Sequence, residues 1–179
     1  NEDDLVIERD GAAVLELAQE YPFARKLVNS GRLSVPTIYS NSSLNSPDVD
    51  SFTGNTIPGA PAEDGPLEDG EWLIDKLGGS FSLLAFVSGP ESLHSELRDA
   101  IPRFAAQPIP VRTLIVSKEP GGVPGPHTLV SKKGIIEARY DGQPGTVYLI
   151  RPDQHVAARW REFNEAQVQQ ALARATCNL

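Results

Sequence analysis

The chain has 179 residues, 40% of them hydrophobic and 22% charged, which excludes a disordered tail and allows one domain with a real core plus an appendage. A net charge of −8 with no clustered basic face argues against a nucleic-acid partner and against an anionic membrane surface. The longest apolar runs, such as residues 83–87, are too short to span a bilayer.

In residues 11–29, Val14, Leu17, Tyr21, Ala24 and Val28 recur at spacings of three and four, which predicts an amphipathic helix kinked at Pro22 and stopped by Gly31. From Leu33 to about Gly70 the composition turns to Pro, Ser, Asn, Asp and Gly, which favours turns and extended segments. A stretch of that length without regular structure is unusual inside a compact domain, so we expect a connector lying on another domain. Residues 72–77 read as a short strand or a helical turn. Residues 81–87 are a continuous apolar run of the kind buried on both faces. Pro90 and Glu91 then open a helix with Leu93, Leu97, Ala100, Ile101 and Phe104 on its buried stripe. Residues 111–117 form a second buried strand, and the βαβ unit makes the two strands parallel. After a Gly/Pro loop over 119–126, residues 129–140 fall in loose helical register and end at Asp141-Gly142. A hairpin over residues 145–160 turns at Pro152-Asp153-Gln154. Its second strand sets Val156, Ala158 and Trp160 against Ala157, Arg159 and Arg161, which predicts one buried and one wet face. Asn164 and Gln167 cap a final helix whose stripe is Val168, Ala171, Leu172 and Ala175.

The order from residue 81 onward, β-α-β-α-β-β-α, describes an α/β fold with a mixed sheet flanked by helices. It resembles the thioredoxin fold. Thioredoxins place Cys-Gly-Pro-Cys between the first core strand and its helix, where the helix start lowers a thiol's pKa. Here the same place reads Ser88-Gly89-Pro90-Glu91, a degenerate form of the motif with both sulfurs gone. Dithiol chemistry is therefore excluded at this position. Ser88 reads as a plain N-cap. The only cysteine, Cys177, lies near the chain end and fits a reducing cytoplasm.

Two further stretches narrow the resemblance. Gly31-Arg32-Leu33-Ser34-Val35-Pro36 with Ser43-Leu44-Asn45-Ser46-Pro47-Asp48, then Pro58-Gly59-Ala60-Pro61 and Leu67-Glu68-Asp69-Gly70, look like the tail of FAD-dependent aromatic-ring hydroxylases of the phenol hydroxylase and hydroxyphenylpropionate hydroxylase kind. Tyr140-Asp141-Gly142-Gln143-Pro144-Gly145-Thr146 through Arg151-Pro152-Asp153-Gln154-His155 to Trp160 is similar to that family's closing signature. The resemblance implies a parent monooxygenase using FAD and NAD(P)H, with the flavin held by a domain that this sequence does not contain. No Gly-x-Gly-x-x-Gly loop is present, and Gly121-Gly122 with Gly125 lacks the strand-to-helix setting a phosphate loop needs. The absence of methionine and the start at Asn1 likewise lead us to expect a piece of a longer polypeptide.

The expected organisation is a helical tail of a preceding flavin domain over 1–32, an extended connector over 33–70 and a thioredoxin-like domain over 71–179. The expected role is interdomain packing or subunit contact, with the flavin domain or a second copy as partner and no nucleic acid or membrane. No catalytic, cofactor-binding or metal residues are expected in this fragment, and no cofactor. His94, His127 and His155 fall on separate elements with no metal-ligand spacing. Arg151, Arg159 and Arg161 are expected on the wet face of the hairpin, paired with acids. The alternative is a free-standing, redox-inactive thioredoxin-like binding module.

Overall fold

A computed structural model describes residues 36–89, 92–118 and 127–178, the side chain of His127 excepted. The chain divides into two compact units, Asn1–Pro36 and Thr37–Leu179. The helix expected over 11–29 lies outside the described residues, as does the glycine loop at 121–125.

The second unit is built on a five-stranded sheet of β1 (Phe81–Val87), β2 (Val111–Ser117), β3 (His127–Val130), β4 (Val147–Ile150) and β5 (Val156–Trp160), in the order β3-β2-β1-β4-β5. β1 is parallel to β2 and β2 to β3, whereas β4 runs antiparallel to both β1 and β5. The helices are α1 (Leu73–Lys76), α2 (Ser95–Ala106), α3 (Ile135–Tyr140) and α4 (Glu165–Ala175). Every residue of β1 is buried, because its alternate side chains feed two separate cores. Leu83, Ala85 and Val87 meet Leu97 and Phe104 of α2 and Val168 and Leu172 of α4. On the opposite face, Leu84 and Phe86 meet Leu73 of α1 and Ile136 and Tyr140 of α3. This mixed sheet with helices on both faces is consistent with the thioredoxin-like fold expected from the sequence. The cap of α4 also forms as read: the Asn164 side chain accepts from the Gln167 amide at 3.1 Å.

Four expectations are corrected. First, residues 127–130 form an edge strand, and only Ile135–Tyr140 is α-helical, after a 3₁₀ turn over Lys132–Gly134. Second, α2 begins at Ser95 rather than at Pro90.

Third, β5 carries a bulge. Leu149 pairs with Ala158 but Ile150 pairs with Val156, so Ala157 is the extra residue and the simple alternation breaks there. Val156 therefore joins the α1/α3 core while Ala158 and Trp160 join the other. All five residues of β5 are buried, and there is no wet face.

Fourth, the face expected to be wet is covered by this chain's own polar stretch. From Thr37 on, the expected connector belongs to the same compact unit as the sheet, and we call residues 37–70 the strap. Arg159 is only 4% exposed. Its Nε and Nη2 donate to the two carboxylate oxygens of Asp48 at 3.0 and 2.6 Å, and Nη1 donates to the Thr56 carbonyl at 3.2 Å. The guanidinium carbons of Arg159 and Arg161 lie 4.4 and 3.8 Å from the centre of the Phe52 ring, so this aromatic residue of the strap meets two cations. Arg161 also pairs with Asp141, whose carboxylate accepts from the Thr53 amide at 2.9 Å.

The strap spares β5 an open edge. Ser46 donates to the Ala157 carbonyl at 2.9 Å, Gly59 to that of Val156 at 2.8 Å, and Val156 in return to Ala60 at 2.8 Å. Further along, Glu68 donates to the Val130 carbonyl of β3 at 3.0 Å. Buried hydroxyls close the layer: Tyr148 donates to the Tyr140 carbonyl at 2.5 Å, and Tyr140 to that of Glu63 at 2.7 Å. Burial pushes both phenols above their ordinary pKa, so each remains a neutral donor.

Two tests follow from the strap. Asp48→Ala removes the partner of a buried guanidinium and should cost about 2–4 kcal/mol in urea unfolding, somewhat under the loss for a wholly enclosed pair. Hydrogen exchange should then accelerate selectively over residues 45–60. The second test concerns acid. The Thr53 amide, with Arg161, holds the Asp141 carboxyl below the usual carboxylate range. A depressed folded pKa contributes stability that is full above the unfolded value of about 3.9 and is lost as pH falls through the folded value. The urea midpoint should fall on acidification below about pH 4, and Asp141→Asn should make that fall shallower.

Candidate functional site

The sequence reading places the site of interest where β1 hands over to its helix, and the structure brings a cleft to that place. The chain leaves the sheet after Val87 through a turn held by Ser92. The Ser92 hydroxyl donates to the Gly89 carbonyl at 2.6 Å and accepts from the Gly89 amide at 3.1 Å and from the Ser88 hydroxyl at 3.0 Å. Ser88 is thus exposed and is not the N-cap of α2. That position falls to His94, which caps without a side-chain hydrogen bond. Of the degenerate motif, Ser88 and Gly89 lie in this turn, while Pro90 and Glu91 lie outside the described residues.

Across from the turn, Pro144 and Gly145 lead into β4. Gly145 sits at φ +98°, a left-handed geometry that suits glycine, and its amide donates to the Phe86 carbonyl at 2.9 Å. The Phe86 amide donates in turn to the Thr146 carbonyl at 2.9 Å, so this loop is stitched to the end of β1.

Between the turn and this loop is a cleft of about 530 Å³. Its apolar lining is drawn from Ala85, Val87, Leu93, Leu97, Val147 and Phe163. Phe163 is held edge-on against Phe104, with ring centres 6.1 Å apart. The polar lining is Ser92, His94, Glu96 and Glu162, all exposed. Among the described residues neither Glu96 nor Glu162 joins an ion pair, whereas Glu165, nearby in sequence, is claimed by Arg103 at 2.6 Å. The cleft can therefore take an apolar group and offer negative charge around it. Its hydroxyl-built turn supplies no thiolate.

The remaining sequence candidates are not brought here. His155 lies beside Asp153 at 3.6 Å and its ring meets Tyr39, with centres 5.3 Å apart. Arg151 pairs with Asp153, and Arg159 and Arg161 lie under the strap. Cys177 is an exposed thiol after α4. Among the described residues no group of three His, Cys, Asp or Glu side chains is placed to hold a metal, and no helix is long and apolar enough to cross a membrane. The cleft residues Leu93, His94, Glu96, Glu162 and Phe163 went unread as a group, because two segments far apart in the sequence supply them.

No protein-family model matches the sequence, and no curated protein matches it. Solved structures do share the fold. The flavin-dependent monooxygenase PieE, solved with FAD and substrate, superposes with a TM-score of 0.61 at 23% identity over 81% of this chain and 26% of its own. Aklavinone-11 hydroxylase, solved with FAD and aklavinone, gives 0.56 at 21% identity over 75% of this chain and 25% of its own. The substrate-free rebeccamycin biosynthetic enzyme RebC gives 0.56 at 24% identity over 96% of this chain and 28% of its own. The chain thus spans about a quarter of the length of each of these proteins. The likeness to flavin-dependent hydroxylases read from residues 31–70 and 140–160 holds at the level of the fold.

Ser92→Ala deletes the hydroxyl that three hydrogen bonds share. It should lower stability by about 1 kcal/mol in urea unfolding and speed amide exchange at Gly89, with the sheet core unaffected.

Proposed function

We propose that this chain is the thioredoxin-like domain of an FAD- and NAD(P)H-dependent aromatic-ring hydroxylase, with its flavin domain in the same polypeptide. Its role there is interdomain packing or subunit contact, including contact with a second copy, and not chemistry. The observation that carries this reading is the extent of the structural likeness: it takes in three quarters or more of this chain and about a quarter of each flavin enzyme, the share expected of one domain among several. The hydroxyls at the turn after β1 support an accessory role, since no sulfur stands there to exchange electrons. Exposed apolar side chains support contact with other polypeptide surface. Ile38, Tyr39, Val49 and Trp72 are each at least 46% exposed, more than solvation favours for residues of their size. With one unpaired cysteine in the whole sequence, we place the parent protein in the cytoplasm.

The cleft favours a second reading, a free-standing redox-inactive module that grips a partner at the end of β1. The two readings part at the gene. A complete reading frame containing these residues should also encode a nucleotide-binding βαβ unit with a glycine-rich loop, and its purified product should carry the absorbance of bound FAD. A complete frame without such a domain would overturn the hydroxylase reading and leave the binding module.

A further inference from the structure

We infer that the cleft at the end of β1 is a docking site for a basic polypeptide segment, one that places an apolar side chain between Leu93, Leu97 and Phe163 and lysines or arginines beside Glu96 and Glu162. This goes beyond the domain assignment and stands with or without a flavin domain.

Three observations fix the occupant. The volume of about 530 Å³ lies within the range of ligand pockets and is ample for one or two large side chains. The floor is apolar, and water there has few partners, so displacing it by hydrocarbon is favourable. The rim charge has one sign: Glu96 comes from the first turn of α2 and Glu162 from the link between β5 and α4, and the described lining contains no lysine or arginine. Elsewhere in the unit, carboxylates facing arginines are paired, as Asp48, Asp141 and Glu165 are. Among the described residues Glu96 and Glu162 have no such partner, which leaves them open to a cation from outside.

The same electrostatics disfavour the competitors. Nucleic acid and anionic lipid are repelled by the rim and by the overall charge of −8. A second copy brings that same net charge, so self-association through this cleft works against itself. A basic segment is drawn in by the long-range field and held by apolar contact, a division of labour that makes the association rate sensitive to salt.

The test titrates the full chain with a fluorescein-labelled peptide of sequence Lys-Leu-Lys-Phe-Leu-Lys and with its charge-reversed counterpart Glu-Leu-Glu-Phe-Leu-Glu. Anisotropy reads affinity, and backbone amide shifts read location. The basic peptide should bind and move the amides of Ser92, Leu97, Gly145 and Phe163. The acidic peptide should not bind. Exchanging both rim carboxylates, Glu96→Gln with Glu162→Gln, should weaken binding about fivefold at low salt, and added salt should erase the difference. Both positions are exposed, so the fold is not at stake. Equal affinity for the two peptides, affinity indifferent to the glutamine pair, shifts confined to other surfaces, or no binding of the basic peptide at millimolar concentration would each overturn the inference. Failure of the hydroxylase reading would leave this titration unchanged, so the two can fail separately.

Discussion

A guanidinium enclosed by protein must be neutralised where it lies, and Arg159 imposes that condition on the strap. Once β5 packs with Tyr148 on one side, the Arg159 head is fixed, and Asp48 has to come to it. Asp48 brings Phe52 over the two arginines, and the same stretch brings Asp50 to the Arg161 amide at 2.9 Å. Thr56 then lies within 3.2 Å of the Tyr148 hydroxyl. A polar, proline-rich sequence without helix or strand of its own is ordered in this way by charges that the sheet presents. The strap is anchored from outside as well as by its own turns: its backbone bonds reach Val156 and Ala157 of β5 and Val130 of β3.

That dependence explains what was legible in the sequence and what was not. Residues 81–87 and 111–117 announce themselves because a strand buried on both faces has to be mostly apolar, whatever its neighbours. The cap at Asn164 is legible because it is a local bond. Arg159 was misread because an arginine between apolar neighbours looks the same in a sequence whether water or an aspartate meets it, and Asp48 lies 111 positions away. The bulge at Ala157 is invisible for a related reason: alanine suits either face. β3 has four residues and draws its partners from β2, so nothing in its own pattern sets it apart from the loop before it. The late start of α2 reflects the Ser92 hydroxyl, which holds a turn that Pro90-Glu91 alone does not foretell.

The candidate site was legible in position but not in composition. The thioredoxin-like order points to the end of β1, and the structure puts the cleft there. Its character comes from Phe163, Glu162 and the Pro144–Gly145 loop, which reach it from the far end of the chain. A redox scaffold exposes a sulfur at this place. Here the same place presents hydrocarbon bordered by the carboxylates of Glu96 and Glu162.

The wide separation between Asp48 and Arg159 also bears on how the chain is made. Synthesis proceeds from the N-terminus, so the strap leaves the ribosome long before β5 exists, and its aspartates have no cation to meet until more than a hundred further residues have been added. Its high content of proline, serine and aspartate keeps it solvated through that interval, when an apolar stretch would invite wrong pairing. The polar composition that made the strap look like a passive tether is thus what lets it wait safely for the last strand to arrive.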